Sequence, residues 1–149
     1  MSACARLENY DSALTSGSEV KHRILVIDGD PQASERLRSW LESEGHDAIL
    51  AQTLEEGFVK IASAPVPDAV LLDIQLGNQS GLTLVHWARR QRHLASVPIA
   101  AMATFASFRE FKSVQEAGCD TLFTKPIDFK ALRSYLFNLD IISASKIII

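Results

Sequence analysis

The run Ala69-Val70-Leu71-Leu72 is continuously apolar and ends on a carboxylate, Asp73. A strand with one wet face alternates apolar and polar residues. A run without alternation instead describes a strand covered on both faces, as in a parallel sheet. Pro67-Asp68 precede the run, and a loop with Gly77, Asn78 and Gly81 follows it. Open α/β sheets carry their sites just beyond the carboxyl ends of the strands, so Asp73 stands where a reactive group belongs.

The rest of the chain repeats that unit. Residues 1–21 are small and polar (Ser12, Thr15, Ser16, Gly17, Ser18) and are expected to form a flexible arm ahead of one domain at 22–140. Ile24 to Ile27 reads as a buried strand ending at Asp28. Asp30-Pro31 then starts a helix, with an acid at the N-cap and proline at the first helical position. Ala33, Leu37, Trp40 and Leu41 follow at helical spacing until Gly45. Ala48 to Ala51 is a second strand, and Thr53 with Glu56 forms a capping box for a second helix bearing Leu54, Phe58 and Ile61.

After the Asp73 strand, a third helix is expected over Ser80 to His93. Its Arg89, Arg90 and Arg92 read as a solvated face that complements the helix dipole. Pro98 to Met102 is the fourth strand and Phe105 to Ala117 the fourth helix. Of Phe105, Phe108 and Phe111, two are expected in the core, and an exposed one would mark a docking face. Thr121 to Thr124 is the fifth strand, and Asp128 caps a last helix through Leu139. The apolar tail 141–149 is expected to be a disordered or core-packed end, with a docking segment as the alternative. Five alternations of strand and helix imply an α/β doubly wound, five-stranded parallel sheet of order 2-1-3-4-5.

Charge and composition exclude several functions. The net charge of −3 and the lack of a basic stripe argue against nucleic-acid binding. Cys4 and Cys119 have no metal-ligand spacing and read as free thiols. No signal-peptide core is visible, and no apolar run reaches the roughly 20 residues of a membrane span. A cytoplasmic domain is expected.

Three polar residues close strands: Asp28, Asp73 and Lys125. In the order 2-1-3-4-5 the first and third strands adjoin, making Asp28 and Asp73 a carboxylate pair able to hold a divalent cation. A lysine across the crevice can neutralise a phosphoryl oxygen.

From Arg23 to about Leu139 the sequence resembles the receiver domain of two-component response regulators, a flavodoxin-like fold. The resemblance rests on Ile24 to Pro31, on Pro67 to Leu76 with Ser80-Gly81-Leu82, on Pro98-Ile99, and on Gly118-Cys119-Asp120 with Lys125-Pro126. It implies that Asp73 accepts a phosphoryl group from a histidine kinase or a histidine phosphotransfer protein. It implies Mg²⁺ held by Asp28, Asp73 and the backbone carbonyl of Gln75, with Lys125 on the phosphoryl group. It also implies output through a protein target at the face of the fourth helix, fifth strand and last helix, and admits a homodimer. The expected activity is phosphorelay signalling rather than an enzyme's, in an atypical single-domain regulator without its own output domain.

Three departures from the family pattern stand out. Gly29 replaces the second of two consecutive acids, leaving Asp30, one residue on, as a substitute ligand and metal binding weakened or absent. Ala103 stands where a Ser or Thr hydroxyl normally contacts the phosphoryl group. Thr104 takes that role only through a slip at the strand end, because successive strand side chains point opposite ways. Leu122 replaces the switch aromatic.

The leading alternative is a pseudo-receiver, the same fold acting as an interaction module without phosphorylation. Asp28-Gly29-Asp30 also matches the Asp-x-Asp of haloacid dehalogenase-type phosphatases, but their later acidic pair is missing and the Asp73 block would be unexplained. A flavodoxin-type carrier would need a phosphate-cradling loop after the first strand, where this chain has acids.

Overall fold

The computed structural model describes residues 20–104 and 107–148, with side chains through Leu139. Residues 1–19 of the arm expected at 1–21 and the placement of Phe105 lie outside the described residues. In chain order the elements are β1 (Arg23–Ile27), α1 (Pro31–Ser43), β2 (Asp47–Ala51), α2 (Leu54–Ala62), β3 (Ala69–Asp73), β4 (Gln75–Leu76) and β5 (Gln79–Ser80). There follow α3 (Leu82–Arg89), β6 (Ile99–Ala103), α4 (Phe108–Ala117), β7 (Thr121–Thr124) and α5 (Phe129–Ile148). The main sheet is parallel with order β2-β1-β3-β6-β7. This is the expected order 2-1-3-4-5. The short β4 and β5 pair antiparallel as a hairpin between β3 and α3, so the fourth and fifth long strands become β6 and β7.

Both faces of the sheet are covered, as the unbroken apolar runs require. Along β1, Leu25 and Ile27 join Leu54, Ile61, Val70, Leu72, Leu84 and Val85 on one side. Ile24 and Val26 join Leu37, Leu41, Leu71, Met102, Leu132 and Leu136 on the other. A period of two therefore fills two cores from one strand.

The helix ends follow local chemistry. Asp30 caps α1 by accepting from Gln32 N at 3.0 Å, with Pro31 next, and Gly45 adopts φ 90° after the helix. Thr53 caps α2 by accepting from Glu56 N at 3.1 Å. The Glu56 carboxylate accepts from Gln52 N at 3.4 Å, one residue beyond the Thr53 N–H that a closed capping box would use.

Four expectations need correction. The third helix stops at Arg89, not His93. The Arg89 side chain turns back on the following loop, donating to Val97 O at 2.8 Å, Ala95 O at 3.2 Å and Gly118 O at 2.9 Å. It is a half-buried staple rather than part of a solvated face, and it takes up carbonyls that the loop would otherwise leave unpaired. The fourth helix starts at Phe108, because Ser107 accepts from Glu110 N at 3.2 Å as its N-cap. Phe108 and Phe111 are 84% and 44% exposed, so two of the three phenylalanines cannot be core residues; Val114 and Ala117 are the buried ones.

The last helix continues through Ile148 into the segment set apart as a tail, whose side chains lie outside the described residues. No described helix is long and apolar enough to cross a membrane.

Leu72 is fully buried in the strand that delivers Asp73. Leu72→Ala is expected to lower stability by about 2–5 kcal/mol in urea unfolding. A loss well under 1 kcal/mol would contradict this packing.

Candidate functional site

The register of β1 against β3 pairs Ile27 with Leu72, so the next residues, Asp28 and Asp73, emerge side by side. Asp28 extends the ladder by one bond, donating N–H to Ala51 O at 3.0 Å. Lys125 follows β7, two strands from β3, and is fixed by its own N–H to Ala103 O at 2.7 Å. The Lys125–Pro126 peptide is cis. From there the lysine ammonium reaches Asp28 Oδ2 at 2.7 Å and Asp73 Oδ2 at 2.8 Å. The three residues singled out by their strand-end positions form one ionic cluster.

Burial of the Lys125 ammonium works to lower its pKa. Hydrogen bonds to Asp28 and Asp73 and attraction to both carboxylates outweigh that, and it titrates above the ordinary 10.5. The Asp28 side chain is 1% exposed, so without Lys125 its charge would be buried and uncompensated.

Backbone and hydroxyl donors hold the carboxylates in place. Asp28 Oδ1 accepts from Asp30 N at 2.9 Å, and Ser34 Oγ of α1 donates to the Asp28 carbonyl at 3.2 Å. Asp73 Oδ1 accepts from Gln75 N at 3.0 Å. Gly81 packs so tightly under this loop that a Cβ there would sit 2.2 Å from the Asp73 carbonyl oxygen. Its role is close approach of backbone to backbone, not an unusual φ.

A cavity of about 360 Å³ opens over Asp73, lined by Ile74, Gln75, Ala103, Thr104 and Glu110 as well. Gln75 and Thr104 are therefore at the site. Strand β6 stops at Ala103, so the alternation that would turn Thr104 away does not extend to it. Asp30 is not gathered in: its carboxylate caps α1, and only its N–H serves Asp28. Among the described residues no group of three His, Cys, Asp or Glu is arranged to hold a metal ion.

Ser34 and Glu110 were not singled out from the sequence, and Gly81 only as a loop glycine within the family pattern. Ser107 and Glu110 stand at capping-box spacing, which signals the start of α4 but not the place of Glu110 on the cavity over Asp73. Leu122 pairs with Ala101 in the sheet. The adjacent aromatic, Phe123, packs edge-on to Tyr135 at 5.7 Å.

The model of the response regulator receiver domain matches residues 24–137. The chain belongs to this family. Among curated relatives it is 26% identical to the polar-differentiation response regulator DivK of Brucella ovis and of Brucella suis, over 76% of this chain and 94% of each relative. Among solved structures it superposes on a putative response regulator from Chloroflexus aurantiacus with TM-score 0.74 and 25% identity, over 80% of this chain and 98% of that one. For a two-component response regulator from Clostridium difficile the TM-score is 0.72 and the identity 28%, over 79% and 94%. A CheY-like receiver from Methanospirillum hungatei gives 0.73 and 27%, over 81% and 95%.

Receivers generally bind Mg²⁺ at this acidic pocket. The donors here fit a sparse version of that site. Mg²⁺ accepts one or two carboxylates and keeps several waters, and Asp28 and Asp73 converge on a single cation, at present the Lys125 ammonium. Gly29 adds no side-chain ligand, but a Cβ there would meet only Gln52 O at 3.6 Å, an ordinary contact.

Two outcomes follow. Because the folded Lys125 pKa is raised, its contribution to stability is fully present below the ordinary 10.5 and is lost as pH rises through the higher folded value. Urea midpoints of wild type minus Lys125→Met should therefore converge in strongly alkaline buffer; a constant gap would contradict the ion pairing. Gly81→Ala should fold less stably by at least about 1 kcal/mol, since backbone must move, and an unchanged thermal midpoint would contradict the close approach.

Proposed function

We propose that this receiver takes a phosphoryl group on Asp73 from a histidine kinase or phosphotransfer protein and signals through protein contacts. The observation that carries the reading is the convergence of Asp28, Asp73 and Lys125 on one ionic centre beneath an open cavity. In the transfer, an Asp73 oxygen attacks phosphorus in line, the P–N bond to the donor imidazole breaks, and the leaving nitrogen takes a proton from solvent. Lys125 neutralises charge on the equatorial oxygens, and the Thr104 hydroxyl at the cavity wall is a further side-chain donor to them. Asp28, Asp73 and the Gln75 carbonyl would hold Mg²⁺, which supplies further charge neutralisation when bound; Asp30 stays with the helix cap.

The output surface in this reading is the face of α4, β7 and α5, where Phe108 and Phe111 are exposed. Aromatic side chains of this kind anchor protein interfaces. A phosphorylation-independent interaction module is the weaker reading, because it uses the Asp28–Lys125–Asp73 centre only as a structural ion pair and leaves the cavity above it without a role.

Neither Trp40 nor Trp87 lines the cavity, so intact mass is the suitable readout. With Mg²⁺ and acetyl phosphate, the wild type should gain one phosphoryl mass and Asp73→Asn none. Gain by both would remove Asp73 as the acceptor. Gly29→Asp should fold normally and bind Mg²⁺ roughly tenfold more tightly, through one more carboxylate. Unchanged affinity would exclude the sparse metal site.

A further inference from the structure

The cavity over Asp73 contains a charge that phosphoryl transfer does not call for. Glu110, in the first turn of α4, lines it. A second hollow of about 290 Å³, beside the β4–β5 hairpin, is lined by Glu110 as well, and shares Ile74 and Gln75 with the first. Glu110 thus stands where the two hollows meet, and the first of them opens over Asp73.

Its carboxylate has no ion-pair or hydrogen-bond partner among the described residues. The acid–base pair on α4 is instead Lys112 with Glu116, at 4.0 Å. The cation of the site is already shared, since Lys125 serves Asp28 and Asp73 together. Around the acceptor, three carboxylates stand against one ammonium. A phosphoryl donor brings close to two more negative charges into that space. Like charges lining one cavity repel an incoming anion and so act on its approach.

We infer that Glu110 is a specificity-determining residue for the phosphoryl transfer, an anionic gate that slows small free phosphodonors and favours a protein donor presenting a basic side chain opposite it. The inference rests on Asp73 being the acceptor. It assigns Glu110 no contact with the reacting atoms; its effect is on which donor approaches.

The test is the rate of phosphoryl gain by the full chain, measured by intact mass with Mg²⁺ and acetyl phosphate, in wild type, Glu110→Gln and Glu110→Asp. Glu110→Gln should be roughly tenfold faster, and its advantage should shrink as salt is added. Glu110→Asp, which keeps the charge, should stay near wild type; a merely structural role would not produce this split or its salt dependence. Gain by Glu110→Gln with none by wild type is the same result in stronger form. Equal, measurable rates in wild type and Glu110→Gln would overturn the gate and leave Asp73 as acceptor. No gain in any of the three would overturn both.

Discussion

The Lys125 ammonium between Asp28 and Asp73 is the interaction on which the site depends. It joins the ends of β1, β3 and β7, elements far apart in sequence, and does so where Asp28 has almost no access to water. Removing one member of such a cluster leaves a buried charge uncompensated, a cost of about 3–5 kcal/mol in well-buried pairs. Function and fold are therefore coupled at this point. A doubly wound sheet supplies the switch-point crevice, the crevice gathers two acids, and the acids are tolerable only with the lysine beside them.

Much of this was legible in the sequence because the signals were local or periodic. Apolar runs gave the five long strands, the Asp30-Pro31 and Thr53 caps gave helix starts, and strand adjacency then brought Asp28 next to Asp73. What escaped was tertiary. Arg89 looks like one member of a basic patch until the loop at residues 94–97 folds over its guanidinium and ends the helix early. Gly81 carries no turn signature, since its φ is ordinary; only the Asp73 carbonyl behind it explains the missing side chain. Phe108 and Phe111 look like core residues by type. With Ser107 as the cap, however, the buried side of α4 passes to Val114 and Ala117. The β4–β5 hairpin is too short to register as periodicity.

The departures from the family pattern have distinct physical meanings. Gly29 brings no side-chain oxygen beside Asp28 but leaves the space for one open. Ala103 is the buried last residue of β6, and the hydroxyl available at the cavity is that of Thr104, one step beyond the strand. Leu122 removes a switch aromatic from the β7 edge, while the exposed aromatics stand on α4, the helix whose first turn carries Glu110. In this chain, the cavity over Asp73 and the exposed apolar surface are thus joined through a single helix.

The most direct measurement is chemical mapping of the acceptor. After exposure to Mg²⁺ and a phosphodonor, borohydride reduces an acyl phosphate to the alcohol, and peptide sequencing by mass finds the converted residue. The account predicts homoserine at position 73 and nowhere else. Conversion at Asp28 or Asp30, or an unmodified Asp73 in protein that has gained phosphoryl mass, would contradict it.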